Sequence, residues 1–476
     1  MNRTHFLAKS LLIPALLMTT SAFATTYTRR THFSPRPVGT NLAMEYSTWH
    51  DKILKPHKDY IHSHAQITGF YQSSMKSNNL GKYFGIGNGS NSFTVGTGTT
   101  KDILGKYLIH SATGGTEVAG KVTFDPKQEV WGTRIDYFQD VNSPVKDLYF
   151  KASLPLVYVK NDVHMKISDE TKGTIGTAVA QYSLQDFFKG GIDITSDAAN
   201  KQSPLTKGKI NGRRTATGIA DIDMALGAKL LDREEYQLFF NLGMTIPTGK
   251  KVRSTYLYEP NTGNGQHFAM GFGIDAGVNL WKTDKACLHL LGALNYRYLF
   301  QSTEERIMGL KNLNMAHYYL AGKIGQSQQP IFPASNILAT PLKVKPGNQF
   351  DFLVDLSFKS GGFIIDLGYN AFYKDQESVW VKGWDDSAYG IAAQNYATNS
   401  TTVFAAETAL TQSIFDLDSV KNPSQFTHKF VGGLGYGCDL AKKWPGTIGL
   451  GGSYEFAQDN SAMENYALWI KAGISF

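Results

Sequence analysis

Any hydrolytic or metal chemistry in this 476-residue sequence would have to start from its twelve histidines and two cysteines. His57, His62 and His64 lie close together, and on an extended segment His62 and His64 share one face, a spacing that could hold a metal weakly. A solvated pair is the plainer reading. His110, His164, His267, His289, His317 and His428 are scattered. None sits beside a nucleophile motif of the kind that puts a base within hydrogen-bond reach of its target. C-x-x-C and H-E-x-x-H spacings are missing, so the sequence points to no cofactor, no metal and no enzyme.

The charged residues are more informative. Asp221, Asp223, Lys229, Asp275, Arg297, Asp351, Asp355, Lys359, Asp366, Lys374, Lys429 and Lys471 each lie on the polar face of an alternating run. From 220 to 230, Ala220, Ile222, Met224, Leu226, Ala228 and Leu230 alternate with Asp221, Asp223, Ala225, Gly227 and Lys229. Period two over eleven residues is a β-strand with one apolar and one polar face. The pattern restarts at Tyr236, Leu238, Phe240, Leu242, Met244 and Ile246, and the short polar link between the two runs predicts a hairpin. Ten such strands are predicted: 147–159, 216–230, 236–247, 267–281, 286–300, 348–359, 362–374, 425–440, 447–457 and 465–476. Upstream, 117–125 with 129–138, and 40–49 with 61–73, add up to four more. Within 76–115 nine glycines obscure the pattern, while Ser183 to Gly190 reads as a short loop helix ending on glycine.

Two architectures make one-sided strands: a soluble sandwich, with its apolar face inward, and a membrane barrel, with its apolar face toward lipid. Length decides between them. Soluble strands average five or six residues, whereas these runs are about twice that, long enough to cross a bilayer at a tilt. Short connections (231–235, 281–286, 359–362, 440–447) alternate with long ones (159–216, 247–267, 300–348, 374–425, 457–465), as periplasmic turns and external loops do. Tyr236, Phe268, Phe300 and Tyr373, at the ends of runs, suit interfacial girdles. The expected fold is therefore all-β: a transmembrane antiparallel up-and-down β-barrel of about 14 strands, within 12 to 16, with both termini on the periplasmic side.

Composition agrees. Aromatics make up 12% of the chain and charged residues only 18%, which excludes a disordered polyelectrolyte. Beyond the first 24 residues there is no apolar run long enough for a spanning helix. Those 24 residues have the form of an export signal: Arg3 and Lys9, an apolar stretch from Leu11 to Met18, and the small residues Ala22 and Ala24 at an A-x-A cleavage site. Losing Arg3 and Lys9 with the leader lowers the formal charge of +7 by two, and no basic block suggests nucleic-acid binding. Cys287 and Cys438 fall on opposite strand faces, which disfavours a disulfide.

Tyr466, Leu468, Ile470, Ala472, Ile474 and Phe476 form an apolar row ending on a terminal phenylalanine, which resembles the assembly signal of Gram-negative outer-membrane barrel proteins. That resemblance implies an outer-membrane location, lipid contact, and recognition of Tyr466, Leu468, Ile470, Ile474 and Phe476 by the barrel-assembly machinery. Gly218-Ile219-Ala220-Asp221 and Pro247-Thr248-Gly249 look like repeated elements of barrels related to long-chain fatty-acid transporters and aromatic-degradation proteins. The expected organisation is a leader (1–24), an N-terminal segment (25–60) serving as plug or first strand, and a barrel (61–476) with external loops near 160–215, 301–347 and 375–424.

Barrels of eight strands are filled by side chains and those of sixteen to eighteen hold a water channel; twelve to fourteen strands imply a partly occluded pore. Its twelve charged inner-face residues would set selectivity for a small-molecule solute, or simply pair across strands and fill space. A passive or weakly selective channel is the first functional reading. A plugged transporter of hydrophobic compounds, favoured by lumen-facing Phe239, Leu291, Leu299, Leu353, Ile364 and Phe372, is the second. A surface barrel whose loops bind a partner is the third. A homo-oligomer stays open.

Overall fold

The computed structural model describes residues 26–37, 39–48, 63–110, 115–141, 147–174, 180–194, 201–327, 329–392, 403–404, 406–440 and 444–476. The leader with Ala22 and Ala24, and the histidines His57 and His62, lie outside the described residues.

Twelve antiparallel strands close into a ring. They are β1 (Ser63–Met75), β2 (Lys127–Val141), β3 (Leu148–Asp162), β4 (Ile222–Asp232), β5 (Tyr236–Ile246) and β6 (Ala269–Lys282). The ring continues with β7 (Ala286–Leu299), β8 (Gly347–Ser360), β9 (Phe363–Lys374), β10 (Gln425–Leu440), β11 (Trp444–Ala457) and β12 (Glu464–Ser475). β12 pairs back onto β1, with Thr68 opposite Lys471. An additional strand, Arg214–Ile219, runs ahead of β4 along the same edge of β3. The interruption falls opposite Pro155, whose carbonyl accepts from Ala220 N–H at 2.9 Å. Closure satisfies backbone groups that hydrocarbon cannot.

Side-chain parity is that of a membrane barrel. Leu242, Leu367 and Ile470 are 63%, 66% and 64% exposed on the outside, whereas Asp275, Asp355 and Lys471 are each 1% exposed on the inside. Phe268 and Phe300 meet at 5.8 Å on the long-loop rim, and exposed Trp281 and Trp444 mark the other. Gly361, in the tight β8–β9 turn, has φ of 59°, which a side chain would resist.

Twelve strands is the lower bound of the expected range, and two segments account for the shortfall from fourteen. The 117–125 run contains only Ala119–Thr123, which joins Ser92–Gly96 and Lys166–Thr171 in a sheet built from the long connections. Five residues alternate as well as eleven do but cannot cross a bilayer. The 40–49 run contains a helix, α1 (Leu42–Tyr46), capped by Asn41 Oδ1, which accepts from Ala43 N–H (3.1 Å) and Met44 N–H (3.4 Å). The obscure 76–115 stretch contributes α2 (Ser77–Phe84) and short strands to the same cap. The expected loop helix is α3 (Leu184–Lys189), with Ser183 as N-cap and Gly190 left-handed at φ 79°.

The long connections bury a hydrophobic core that includes Phe84, Phe93, Phe124, Phe187, Tyr258 and Tyr318. This cap covers the end of the barrel opposite the short turns. Phe33, from the N-terminal segment, belongs to the same core, meeting Tyr83 edge-on at 5.1 Å. A second cluster lies within the barrel, where Leu42, Ala43, Met44 and Tyr46 of α1 pack among inner-wall Phe239, Leu291 and Leu353.

Candidate functional site

The bore is lined by residues that alternation turns inward, and it is occupied by residues 34–37 and 39–48 of the chain itself. This strap starts in the cap, where Tyr27 N–H donates to Asn460 Oδ1 (2.7 Å), Thr31 Oγ1 donates to Ile307 O (2.6 Å) and Ser34 N–H donates to Asn422 Oδ1 (2.8 Å). It then enters the barrel, where its first side chain held by charge is Arg36. The guanidinium donates to Asp351 Oδ2 (2.6 Å) on β8, Asn370 Oδ1 (3.0 Å) on β9 and Glu455 Oε1 (3.4 Å) on β11. It also lies 4.5 Å from the centre of the Phe372 ring.

Nine residues further, Glu45 of α1 pairs with Arg134 (2.8 Å) and Lys151 (3.7 Å). Arg134 also donates to Asp136 (2.6 Å) and to Asn41 O (3.0 Å). Lys151 also pairs with Asp275 (2.9 Å) and donates to the Tyr46 hydroxyl oxygen (2.6 Å), while that hydroxyl donates to Asp275 (2.8 Å). Lys471 donates to Glu45 O (3.1 Å) and Ser47 O (2.8 Å), and Thr48 N–H donates to Asp366. Thr48 fits against Gly433, Gly435 and Gly449, where an added Cβ would lie 3.1, 3.0 and 2.4 Å from it. Beside α1 a cavity of about 90 Å³ remains, bordered by Glu45, Arg134, Asp136, Lys151, Asp223 and Arg297.

Of the twelve expected lumen charges, Asp275, Asp351, Asp366 and Lys471 contact the strap directly, as does Lys374, which donates to Ser34 O at 3.1 Å. Lys429 acts at one remove, pairing with Glu455 at 3.1 Å. Asp223 and Arg297 pair with each other at 3.0 Å, and Lys229 pairs with Asp140 at 2.8 Å. Asp355 is buried within electrostatic reach of Asp366, Lys359 and Lys471. Asp221 differs from the rest. It sits at the β4 interruption and accepts from Gly249 N–H (3.2 Å) and Asn264 N–H (2.7 Å), fastening the 247–268 connection.

Sequence reasoning missed Arg134, Asp136, Lys151 and Glu455, and placed Asn370 on the polar face of its run without giving it a role. A signal existed for most of them: Arg134 and Asp136 alternate with outward Trp131 and Ile135, and Glu455 shares parity with inward Ser453. Among the described residues no group of three or more His, Cys, Asp or Glu could hold a metal.

The cap contains a second charged group, outside the membrane-spanning strands. Arg306, 1% exposed, pairs with Glu304 (2.9 Å) and Glu377 (2.5 Å). His267 Nε2 lies 2.6 Å from Glu304. Burial alone would raise the Glu304 carboxyl, but Arg306 and the His267 hydrogen bond outweigh it and hold it at about 2. Glu377 is held down in the same way by Arg306. Burial, reinforced by Arg306, pushes the strap's His32 down to about 3, and burial does the same for His317.

No protein-family model and no curated protein matches the chain. Solved structures do resemble it. An outer-membrane channel from Pseudomonas putida F1 is 11% identical at a TM-score of 0.39, covering 89% of this chain and 98% of that one. The transport unit of the autotransporter AIDA-I from Escherichia coli is 9% identical at 0.33, covering 91% and 95%. A Pseudomonas aeruginosa FadL homologue is 8% identical at 0.28, covering 87% and 90%. At such scores these likenesses say nothing of what passes through this barrel. Its own closed antiparallel ring, apolar outer belt and alternation of short turns with long loops make the chain a transmembrane antiparallel β-barrel protein.

Proposed function

We propose that this barrel is a channel for small solutes whose bore is closed by its own N-terminal segment, residues 25–60 acting as a plug. The observation that carries this reading is the chemistry of the contact between strap and wall. The strap is held by ion pairs and hydrogen bonds through Arg36, Glu45 and Thr48, with only a one-turn helix burying apolar surface. Polar attachments of this kind exchange for water at modest net cost when a segment leaves. A twelve-strand ring without the strap would be wider than the side-chain-filled eight-strand case, with charges from β2, β3, β6, β8, β9, β10, β11 and β12 along its wall to act on passing ions.

The wall's apolar patch favours a second reading, transport of hydrophobic compounds. Phe239, Leu291 and Leu353 would be uncovered once α1 left. Planar-bilayer conductance tests the first reading and separates it from the second. The full-length protein should be mostly silent, and an Arg36→Ala/Glu45→Gln variant, which loosens the strap but leaves its cap contacts intact, should conduct steadily. A variant lacking residues 26–48 serves as the second measurement. Silence of both in folded form would overturn the channel, and uptake of an apolar solute by the deletion without ion conductance would favour the second reading.

A further inference from the structure

We propose that the wall around Arg36 is a binding site for a solute's guanidinium group, with the strap's arginine holding its place; this rests on the channel reading above. Elsewhere the wall holds the strap's main chain, with Lys374 at Ser34 O, Lys471 at Glu45 O and Ser47 O and Asp366 at Thr48 N–H, and two side chains, Glu45 through Arg134 and Lys151 and Tyr46 through Lys151 and Asp275. At Arg36 it surrounds a cationic head group with acceptors from three strands and an aromatic ring against the guanidinium.

The wall's part of the receptor is built without the strap's help; the strap adds Thr40 O, which accepts from Arg36 Nε at 3.3 Å. Asn370 Nδ2 donates to Asp351 Oδ1 (2.6 Å) and to Phe352 O (2.8 Å), which fixes the amide with its oxygen toward the bore. Glu455 is held by Thr427 Oγ1 (2.6 Å) and Lys429 Nζ (3.1 Å). With Arg36 withdrawn, Asp351 Oδ2, Asn370 Oδ1 and Glu455 Oε1 still converge on one point, on rigid strands. Two carboxylates against the single Lys429 ammonium leave one net negative charge, which matches a monocation. The geometry also chooses among monocations. A planar fork can donate to three separated acceptors while stacking on Phe372, whereas an ammonium is a compact point charge that cannot do both. A cavity of about 20 Å³ touching Arg36 and Glu455 leaves a little room beside the head group.

The test is chemical replacement of the missing side chain. Full-length Arg36→Ala protein in detergent micelles is heated with increasing methylguanidinium chloride, or with methylammonium chloride at the same ionic strength, and loss of the compact heat-modifiable gel band is followed. Methylguanidinium should raise the transition saturably, at a concentration about tenfold below that of any methylammonium effect. Wild type, with its site filled, should not respond, and Arg36→Ala/Asp351→Asn should lose the effect. Arg36→Gln provides the same measurement if the alanine variant is not recovered folded. Equal responses to the two cations, or a response that survives Asp351→Asn, would overturn the site. Arg36→Ala protein that conducts but ignores methylguanidinium overturns the site alone; protein that responds without conducting supports the site and overturns the channel.

Discussion

Acidification from pH 7 to pH 5 should open the cap, because His32 and His317 are neutral in the folded structure. His32 lies on the strap at the mouth of the barrel, 8% exposed, facing Arg306, Glu304, Glu377 and Lys374. Both imidazoles are pushed down to about 3, by burial and, for His32, by Arg306 as well. In an opened cap they titrate near 6.5. The opened form therefore binds more protons between pH 6.5 and 3, and stability falls as pH falls through that window. At pH 5 the deficit is about 1.5 pH units, roughly 2 kcal/mol for each histidine. Glu304 and Glu377 act in the same direction but lower: their ion pairs with Arg306 lose stabilising effect only as pH drops below the ordinary carboxylate value toward 2. They leave the interval from 7 to 5 to the histidines.

Hydrogen exchange of cap amides measures this opening. Suitable reporters are Thr31 N–H, bonded to Ser419 O, and Met308 N–H, bonded to Leu338 O. After correction for intrinsic exchange, the opening constant should rise roughly 30-fold per histidine between pH 7 and pH 5. His32→Gln should remove one such factor and His317→Gln the other, separating both from His110, His164 and His267 in the same cap. Protection that stays flat from pH 7 to pH 5, or a slope unchanged by both substitutions, would refute the account.

Three further outcomes are expected. Glu45→Gln leaves Arg134 and Lys151 without their shared strap partner at a cost of about 3 kcal/mol. In a background lacking Cys287 and Cys438, a Ser47→Cys probe should then react with an impermeant thiol reagent up to roughly 150-fold more often; an unchanged rate would mean that Glu45 does not anchor the strap. Leu242→Arg, on the outer face of β5, should cost about 2–4 kcal/mol in urea titrations of folding into lipid vesicles, and no cost would remove Leu242 from the lipid belt. Deleting Phe476, whose N–H and C=O both pair with Ser63, should lower recovery in the outer membrane while refolding in detergent stays efficient; loss of both together would mark a structural role rather than an assembly signal.

Parity was the legible part of this fold. Leu242 and Ile470 face out and Asp275 and Lys471 face in because period two leaves no other choice once one face is apolar. The helix after Ser183 was legible because its cap and its terminal glycine are local signals. Strand number was less so, since Ala119–Thr123 alternates like a barrel strand and differs only in length. Pairing was not legible at all. Arg36 and Asp351 are 315 residues apart, and nothing near either one names the other.

The inner wall shows why a lumen is hard to interpret from its residues alone. Charged positions suggest selectivity only if the bore is empty, and inward Phe239, Leu291 and Leu353 suggest a greasy pathway only on the same condition. In the structure those three residues pack with α1, while Asp275, Asp351, Asp366 and Lys471 each bond to a particular group of the strap. Even the small residues fit this pattern: Gly433, Gly435 and Gly449 leave the space that Thr48 fills. The mixture of charge, grease and glycine that seemed to favour several solutes at once is what one folded segment requires when its arginine, its short helix and its threonine each need a different surface. Solute preference must therefore be sought where the wall's shape persists without the strap, and the receptor fixed by Asn370, Thr427 and Lys429 meets that condition through bonds made within the wall.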